Sequence, residues 1–471
     1  MAINRQTNLF AVEDWKKLYT TFSEADFQSY DFETIRKVMV DYLRTYYAED
    51  YNDFIESSEF IALIDLIAFQ AQSLAFRTDL NARENFLETA ERKDSVLKLV
   101  KQLNYVPNRN KASNGILKIN SISTTESIFD YSSKNLSRTV ITWNDPSNTD
   151  WASQFSIVLN AALSSGQRIG KPFAKKTING IKTEQYNLAL PNSYSPAVFP
   201  FNAVLNDIAT DFEAVSASIT AGDSIIEQDP GVLNAFGIVY QNDGRGNASN
   251  NTGYFIYFKQ GTMNKLDTAI TEKIPNRVLN VNIENINNED IWLYDLTSTG
   301  ELGTQWTKVP NIVGSNAIYN STARGIRTLF SVNTRANDQI DLVFGDDTFS
   351  NIPMGNYRSF FRVSNGLTYR ISPADMTGIS IVIPYVSKDG RPEKITITAI
   401  LQYTISNSSR RDLIQEIKDK APQNFYAQNR MVNGEDYNIV PYTNYSDIVK
   451  VKSVNRYSSG ISRVLDIIDP T

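Results

Sequence analysis

The chain has 471 residues, 41% hydrophobic and 21% charged, with a mean hydropathy of −0.32, which suits about two to four domains of ordinary soluble composition. A formal net charge of −6 and a pI near 5.1 argue against nucleic acid as the main partner, because neutralising phosphates takes clustered Lys and Arg. There is no Cys and no His, which removes disulfides, thiolate nucleophiles, the usual zinc ligands and the Ser-His-Asp relay; carboxylate pairs, Ser-Lys pairs and oxygen-ligand cation sites survive.

The opening MAINRQTNLF has no basic region followed by an apolar core, so no export signal is expected. Residues 1–32 carry Phe10, Trp15, Tyr19, Phe22, Phe27, Tyr30 and Phe32, and Val12, Trp15, Tyr19 and Phe22 fall on one helical stripe. A second helix is expected over 33–48, with Ile35, Val38, Met39, Tyr42, Leu43 and Tyr46 on one face. From residue 57 an apolar helical pattern, FIALIDLIAFQAQSLAF, runs into a charged one, RTDLNARENFLETAERKDSVLKLVKQLNYV, with no Gly or Pro between them. Pro107 should end it near Tyr105. Unbroken, such a rod reaches roughly 60 Å; a break or bend is expected around 78–81. Phe60, Ile61, Leu63, Ile64, Leu66, Ile67 and Phe69 leave almost no polar face, and a helix apolar all round must be buried on all sides, here in part by another chain. The longest apolar run, 60–69, is broken by Asp65 and is too short for a bilayer, so no membrane partner is expected. The charged half offers Asp79 with Arg83, Glu88 with Arg92 and Asp94 with Lys98 at i,i+4, while Leu80, Leu87, Ala90, Leu97, Val100 and Leu103 mark its buried side.

At KASNG, 111–115, the period changes to two. Stretches 254–258, 279–283, 290–296, 328–332, 340–344, 360–363, 379–383 and 395–401 read as strands, and Gly300 and Gly303 suit a hairpin between Trp292 and Trp306. Residues 124–230 are poorly patterned, with helix expected around 155–163, and NDGRGNASNNTG over 242–253 reads as an exposed boundary. After a short Ser-Asn linker at 406–409, a charged helix over 410–420 should stop at Ala421-Pro422, followed by a short helix at 434–440 and a strand at 448–454. The apolar run VLDIIDPT at the end suggests that the chain continues further. The expected class is therefore α+β and multidomain: a helical arm and bundle domain over 1–110, a mixed or β domain over 111–245, an antiparallel β domain over 246–405, and a small α/β domain over 406–471.

Chemical motifs are sparse. Ser95-Val-Leu-Lys98 has S-x-x-K spacing without a following K-T-G, and no nucleophile elbow, phosphate loop or H-E-x-x-H helix occurs. Asp346 and Asp347 are two carboxylates where a hard-cation site needs more, and Glu435-Asp436 suits the positive end of a short helix. No catalytic residue, metal ligand or cofactor is assigned.

Three passages resemble one family. RTDLNARENFLETAERKDSVLKLVKQLNYVPNR (77–109), IDLVFGDDTFSNIPMGNYRSFFRVSNG (340–366) and APQNFYAQNRMVNGEDYNIVP (421–441) resemble, in that order, the blocks of the baseplate J-like family, wedge proteins of contractile-tailed phages. The residues carrying the resemblance are Arg77, Asn81, Arg83, Thr89 and Arg92; Gly345, Asp346, Pro353 and Gly355; and Arg430, Asp436 and Tyr437. The aromatic amino-terminal arm is similar to the T-even-type wedge subunit. The chain departs from the family where Asp347 and Ser350 stand in place of the turn's usual glycines, and T-even-type members look longer at the carboxyl end.

The resemblance implies a non-enzymatic structural role in the virion, assembled in the host cytoplasm. Such proteins pair as two copies within a wedge; their amino-terminal helices bundle with the large wedge subunit, the small sheath-initiating protein and another small wedge subunit. Their carboxyl-terminal parts join neighbouring wedges into a ring that widens on contraction. Bundle contacts are expected from Trp15, Tyr19, Phe22, Tyr42, Tyr46, Phe60, Leu63, Ile64 and Ile67. The rival readings are a virion-associated carboxylate-pair polysaccharide hydrolase and a receptor-binding fibre; the absence of repeats disfavours the fibre.

Overall fold

The computed structural model describes residues 31–46, 59–128, 139–191, 196–205, 208–310, 312, 326–348, 350–364, 370–428, 430–445, 448 and 450–454. The chain divides into two compact units, residues 1–102 and 103–471. Its class is α+β: helices in the first unit, mostly antiparallel sheets in the second, and a small helical part toward the carboxyl end.

In the first unit, α1 (Phe32–Tyr46) starts where the Asp31 carboxylate accepts the Thr34 amide at 2.8 Å, an N-cap on the first turn. Then comes α2 (Glu59–Arg83), 25 residues and about 37 Å long. The rod is broken, a few residues beyond the expected 78–81. The backbone leaves the helix after Arg83, and a separate helix, α3 (Lys93–Gln102), begins ten residues later. A self-satisfied turn makes the break: the Thr89 hydroxyl donates to the Arg83 carbonyl at 2.7 Å, and the Glu84 carboxylate accepts the Glu91 and Arg92 amides at 3.0 and 3.2 Å. Both helix ends thereby find partners without Gly or Pro. The Asp79–Arg83 pair forms, at 3.0 Å; Glu88 lies in the turn and not on a helix.

The second unit is built on two sheets. The ten-stranded sheet has β1 (Asn114–Thr124), β2 (Val140–Thr142), β3 (Ala174–Ile178), β4 (Ile181–Ala189), β5 (Val198–Leu205) and β6 (Ile208–Val215), then β9 (Ala235–Asn242), β10 (Gly253–Gln260), β18 (Ile379–Val386) and β19 (Pro392–Ile400). Its path is β18-β19-β1-β10-β9-β4-β3, with β2 on β1 and the β5–β6 hairpin on β10. The seven-stranded sheet takes β11 (Thr262–Ile270), β12 (Val278–Val281), β13 (Ile286–Leu296), β14 (Leu302–Lys308), β15 (Leu329–Thr334), β16 (Ile340–Val343) and β17 (Gly355–Val363), in the order β11-β17-β13-β14-β15-β16-β12. Two short strands, β7 (Ala217–Ser218) and β8 (Ile226–Glu227), pair separately.

Strand pairing crosses the expected division at 245/246. β9 and β10 are antiparallel neighbours, so the 242–253 loop is a hairpin connection inside one sheet. β18 and β19 return from far along the chain to pair beside β1. The chain passes between sheets at Gly261, whose φ of +96° and close approach to the Val363 carbonyl leave no room for a Cβ.

Each sheet carries its own apolar core. One gathers Leu117, Ile122, Phe212, Phe236, Ile381 and Ile397 with the inner face of α4 (Trp151–Ala162), which contributes Phe155, Val158, Leu159 and Ala162. The other centres on Trp306, Phe330, Phe344 and Phe361. Between the sheets lies a buried ionic network. Arg362 of β17, fully buried, contacts Glu213 of β6 at 3.1 Å, Glu227 of β8 at 2.8 Å and Asp290 of β13 at 3.7 Å. Lys259 of β10 reaches Glu227 at 2.9 Å and Asp290 at 2.6 Å.

Toward the carboxyl end, α5 (Ile414–Ala427) runs through Pro422, where the sequence pattern had placed its stop. The following helix, α6 (Asp436–Asn444), begins and ends later than expected and includes Pro441. Residues 448 and 450–454 form no strand, and the apolar terminal run lies outside the described residues. Helix α5 is tied to the β body by Asp412, whose carboxylate takes Lys420 at 2.8 Å, the Asn108 amide at 2.8 Å and the Tyr105 hydroxyl at 3.1 Å.

Candidate partner-binding helix and motif turns

In α2, successive residues turn by about 100°, so Ile61, Ile64 and Ala68 share one stripe, and all three are at most 3% exposed. That stripe accompanies α1, to which Asp65 is joined by a 2.6 Å ion pair with Arg36. The pair explains the single charge within the apolar run. On the opposite side Leu63, Leu66, Ile67 and Leu74, at i, i+3, i+4 and i+11, are 52–67% exposed. Phe69 and Phe76 flank this stripe, seven residues apart, and are 62% and 67% exposed. The helix is thus apolar all round, and within the chain it is covered on one side, along the stripe of Ile61, Ile64 and Ala68. Six large apolar side chains contiguous on one helix exceed the scattered exposure of ordinary surfaces and make this side the candidate contact face.

The expected contact residues separate accordingly. Leu63 and Ile67 lie on the exposed stripe, whereas Ile64 belongs to the unit's own core. Tyr42 and Tyr46 sit on α1 and Phe60 on α2, with their side chains outside the description; Trp15, Tyr19 and Phe22 lie outside the described residues. Leu66, Phe69, Leu74 and Phe76 were absent from the expected contacts although their spacing was readable.

The first motif passage occupies the end of α2 and the turn after it. Arg77, Asn81 and Arg83 are exposed on the last turns of α2, and Thr89 and Arg92 supply the turn bonds described above. Glu84 was not singled out from sequence, yet its carboxylate links the turn to α3; it also accepts from Ser95, which together with the backbone amides holds it below its ordinary value. Ser95 of the S-x-x-K match is therefore a helix-start partner.

The second passage is a tight turn between β16 and β17. The Asp346 carboxylate accepts the Thr348 amide at 3.0 Å, and the Asp347 amide donates to the Ser350 carbonyl at 3.0 Å. Arg327 donates to the Asp347 carbonyl and lies 3.3 Å from its carboxylate. Both acidic side chains thus serve the turn itself. A Cβ at Gly345 would run into the hydroxyl of fully buried Ser350. Pro353 is buried, and Gly355 opens β17 at a φ of +115°.

The third passage caps α6. The Asp436 carboxylate accepts the Val432 and Asn433 amides, both at 3.0 Å, and the Asn433 side chain accepts the Asp436 amide at 2.9 Å. These backbone bonds hold Asp436 below the usual carboxylate range. Arg430 and Tyr437 are exposed beside it.

Thr89, Arg92, Asp346 and Asp436 thus hold turns and helix ends, while one side of α2 is an exposed apolar stripe. Residues 31–102 match the amino-terminal domain of bacteriophage baseplate proteins, which indicates a bacteriophage baseplate protein with a structural role in the virion tail. Residues 115–404, more than half of the chain, match the family described as a domain of unknown function, DUF8360, and the chain belongs to that family. No curated protein matches the chain.

Proposed function

We propose that the chain is a wedge subunit of a contractile-tail baseplate, of the baseplate J-like kind, acting mechanically and without catalysis. The observation that carries this reading is the exposed apolar stripe of α2 inside the segment that matches the baseplate domain. In this reading the stripe packs against helices of a second copy, of the large wedge subunit, of the small sheath-initiating protein and of another small wedge subunit. The β body of the second unit sets the spacing between neighbouring wedges in the ring, which rearranges on contraction.

The test is Leu66→Glu combined with Ile67→Glu. Both side chains are exposed, so the variant should retain its helix content and thermal midpoint while failing to co-purify with the other wedge proteins. Burying two unpaired carboxylates in a helix bundle costs several kcal/mol, roughly a thousandfold or more in affinity. Normal assembly of the doubly charged variant would overturn the reading. So would digestion of cell wall or capsule by the purified chain that is lost on a single Asp or Glu substitution.

A further inference from the structure

Where the segment before α4, α4 itself and strands β4, β9 and β10 meet, the second unit holds a half-open pocket of about 360 Å³, within the size range of small-ligand sites. Its floor is aromatic. Tyr254 stacks on Phe155 at 5.6 Å with 22° between the rings, and Trp143 stands edge-on to both, at 5.8 and 5.3 Å. Trp151 meets Trp143 edge-on at 4.7 Å. The floor is rigidly held: Phe155 and Tyr254 are 1% and 4% exposed, and the Trp143 indole N–H donates to the Asn247 carbonyl at 3.1 Å.

Two donors on this floor are left over. The Tyr254 hydroxyl and the Trp151 indole N–H make no hydrogen bond among the described residues. The one charged side chain of the lining, Glu184, is already occupied: one oxygen lies 3.2 Å from the Lys175 ammonium, and the other accepts the Tyr186 hydroxyl at 2.7 Å. The pocket therefore combines apolar ring faces, unused neutral donors and no uncompensated charge. An anion would meet the Glu184 carboxylate, and a cation would find that carboxylate paired. A sugar ring has what the site complements, a C–H face for the aromatic floor and hydroxyls for the free donors.

We propose that this pocket binds a neutral saccharide unit, its apolar face on the half-buried Trp151 ring and its hydroxyls bonded to the free donors of Tyr254 and Trp151. This is a ligand-binding function separate from the assembly role of the first unit.

The full chain is titrated with cellobiose, maltose, lactose and N,N′-diacetylchitobiose, followed by intrinsic tryptophan fluorescence and ligand-observed NMR. Tetramethylammonium and sialyllactose serve as charged comparators. At least one neutral saccharide should bind saturably, and Trp151→Ala should weaken it by roughly tenfold. Tyr254→Phe keeps the ring and removes the hydroxyl; it should weaken binding by about threefold without moving the thermal midpoint, and it carries the test if Trp151→Ala does not fold. No saturable binding of any neutral saccharide, tighter binding of either comparator, or an affinity unmoved by Tyr254→Phe would each overturn the proposal.

Discussion

The turn after β16 shows how one residue absorbs a backbone conformation that favours glycine. Asp347 adopts the left-handed backbone that glycine takes most readily, with φ at +73°. Short polar residues tolerate this region because their side chains find local partners, and here Arg327 supplies one. A β-branched residue has neither advantage. Asp347→Val should lower stability by about 1–2 kcal/mol in urea unfolding, and an unchanged midpoint would contradict the strained-turn reading. The ionic network between the sheets makes a second prediction at this scale. Burial pushes the Asp290 carboxyl up, but Lys259 and Arg362 outweigh it and hold the group at about 2. Its folded value lies below the unfolded one, so its contribution is complete above about pH 4 and is lost as pH falls toward 2. Glu213 has the opposite sign: burial outweighs Arg362 and raises it, so its contribution favours the folded chain at low pH and fades as pH rises through the raised value. Asp290→Asn should be less stable near neutrality and should lose about 2 kcal/mol less than the parent between pH 4.5 and 2. Parallel acid limbs would show that Asp290 is not held down by its partners. None of this network was legible in sequence, because its members lie far apart in the chain and meet only through sheet pairing.

At the scale of elements, periodicity located helices and strands well where one face is buried. The strand at 379–383 alternates buried and exposed residues as its pattern implied, and α1 starts within a residue of its expected position. Two misplaced helix ends have a common cause. Composition cannot show a helix that stops because side chains satisfy its ends, as Thr89 and Glu84 do after α2, and it overstates Pro422 as a stop in α5. For α2, sequence revealed an apolar surface all round but could not say which part is internal. The distinction matters for mutagenesis. Ile64→Asp places a carboxylate in the unit's own core and should reduce helix content, so its loss of assembly would say nothing about partners. The Leu66 and Ile67 substitutions separate folding from docking.

Across the whole molecule, the sequence conveyed the order of helical and β regions and the baseplate resemblance, which the match over 31–102 supports at the level of a phage baseplate protein. It did not convey how strands are shared between sheets. β18 and β19 lie more than a hundred residues beyond β10, yet they join the same sheet, with the seven-stranded sheet intervening in the chain. Local alternation is identical whichever sheet a strand joins. Poor patterning over 124–230 has a similar origin: β4 is buried on both faces over much of its length, with Gln185 and Asn187 among its buried positions, so polar and apolar residues no longer mark outside and inside. The assembly claim rests instead on α2, and the absence of cysteine makes it directly measurable. Leu66→Cys introduces a single thiol at the centre of the exposed stripe, and Lys388→Cys provides an exposed control on the second unit. Maleimide labelling is compared between the dilute monomer and intact particles. Leu66→Cys should react readily in the monomer and be protected in particles while the control reacts in both; equal labelling of Leu66→Cys in the two states would contradict a docked α2.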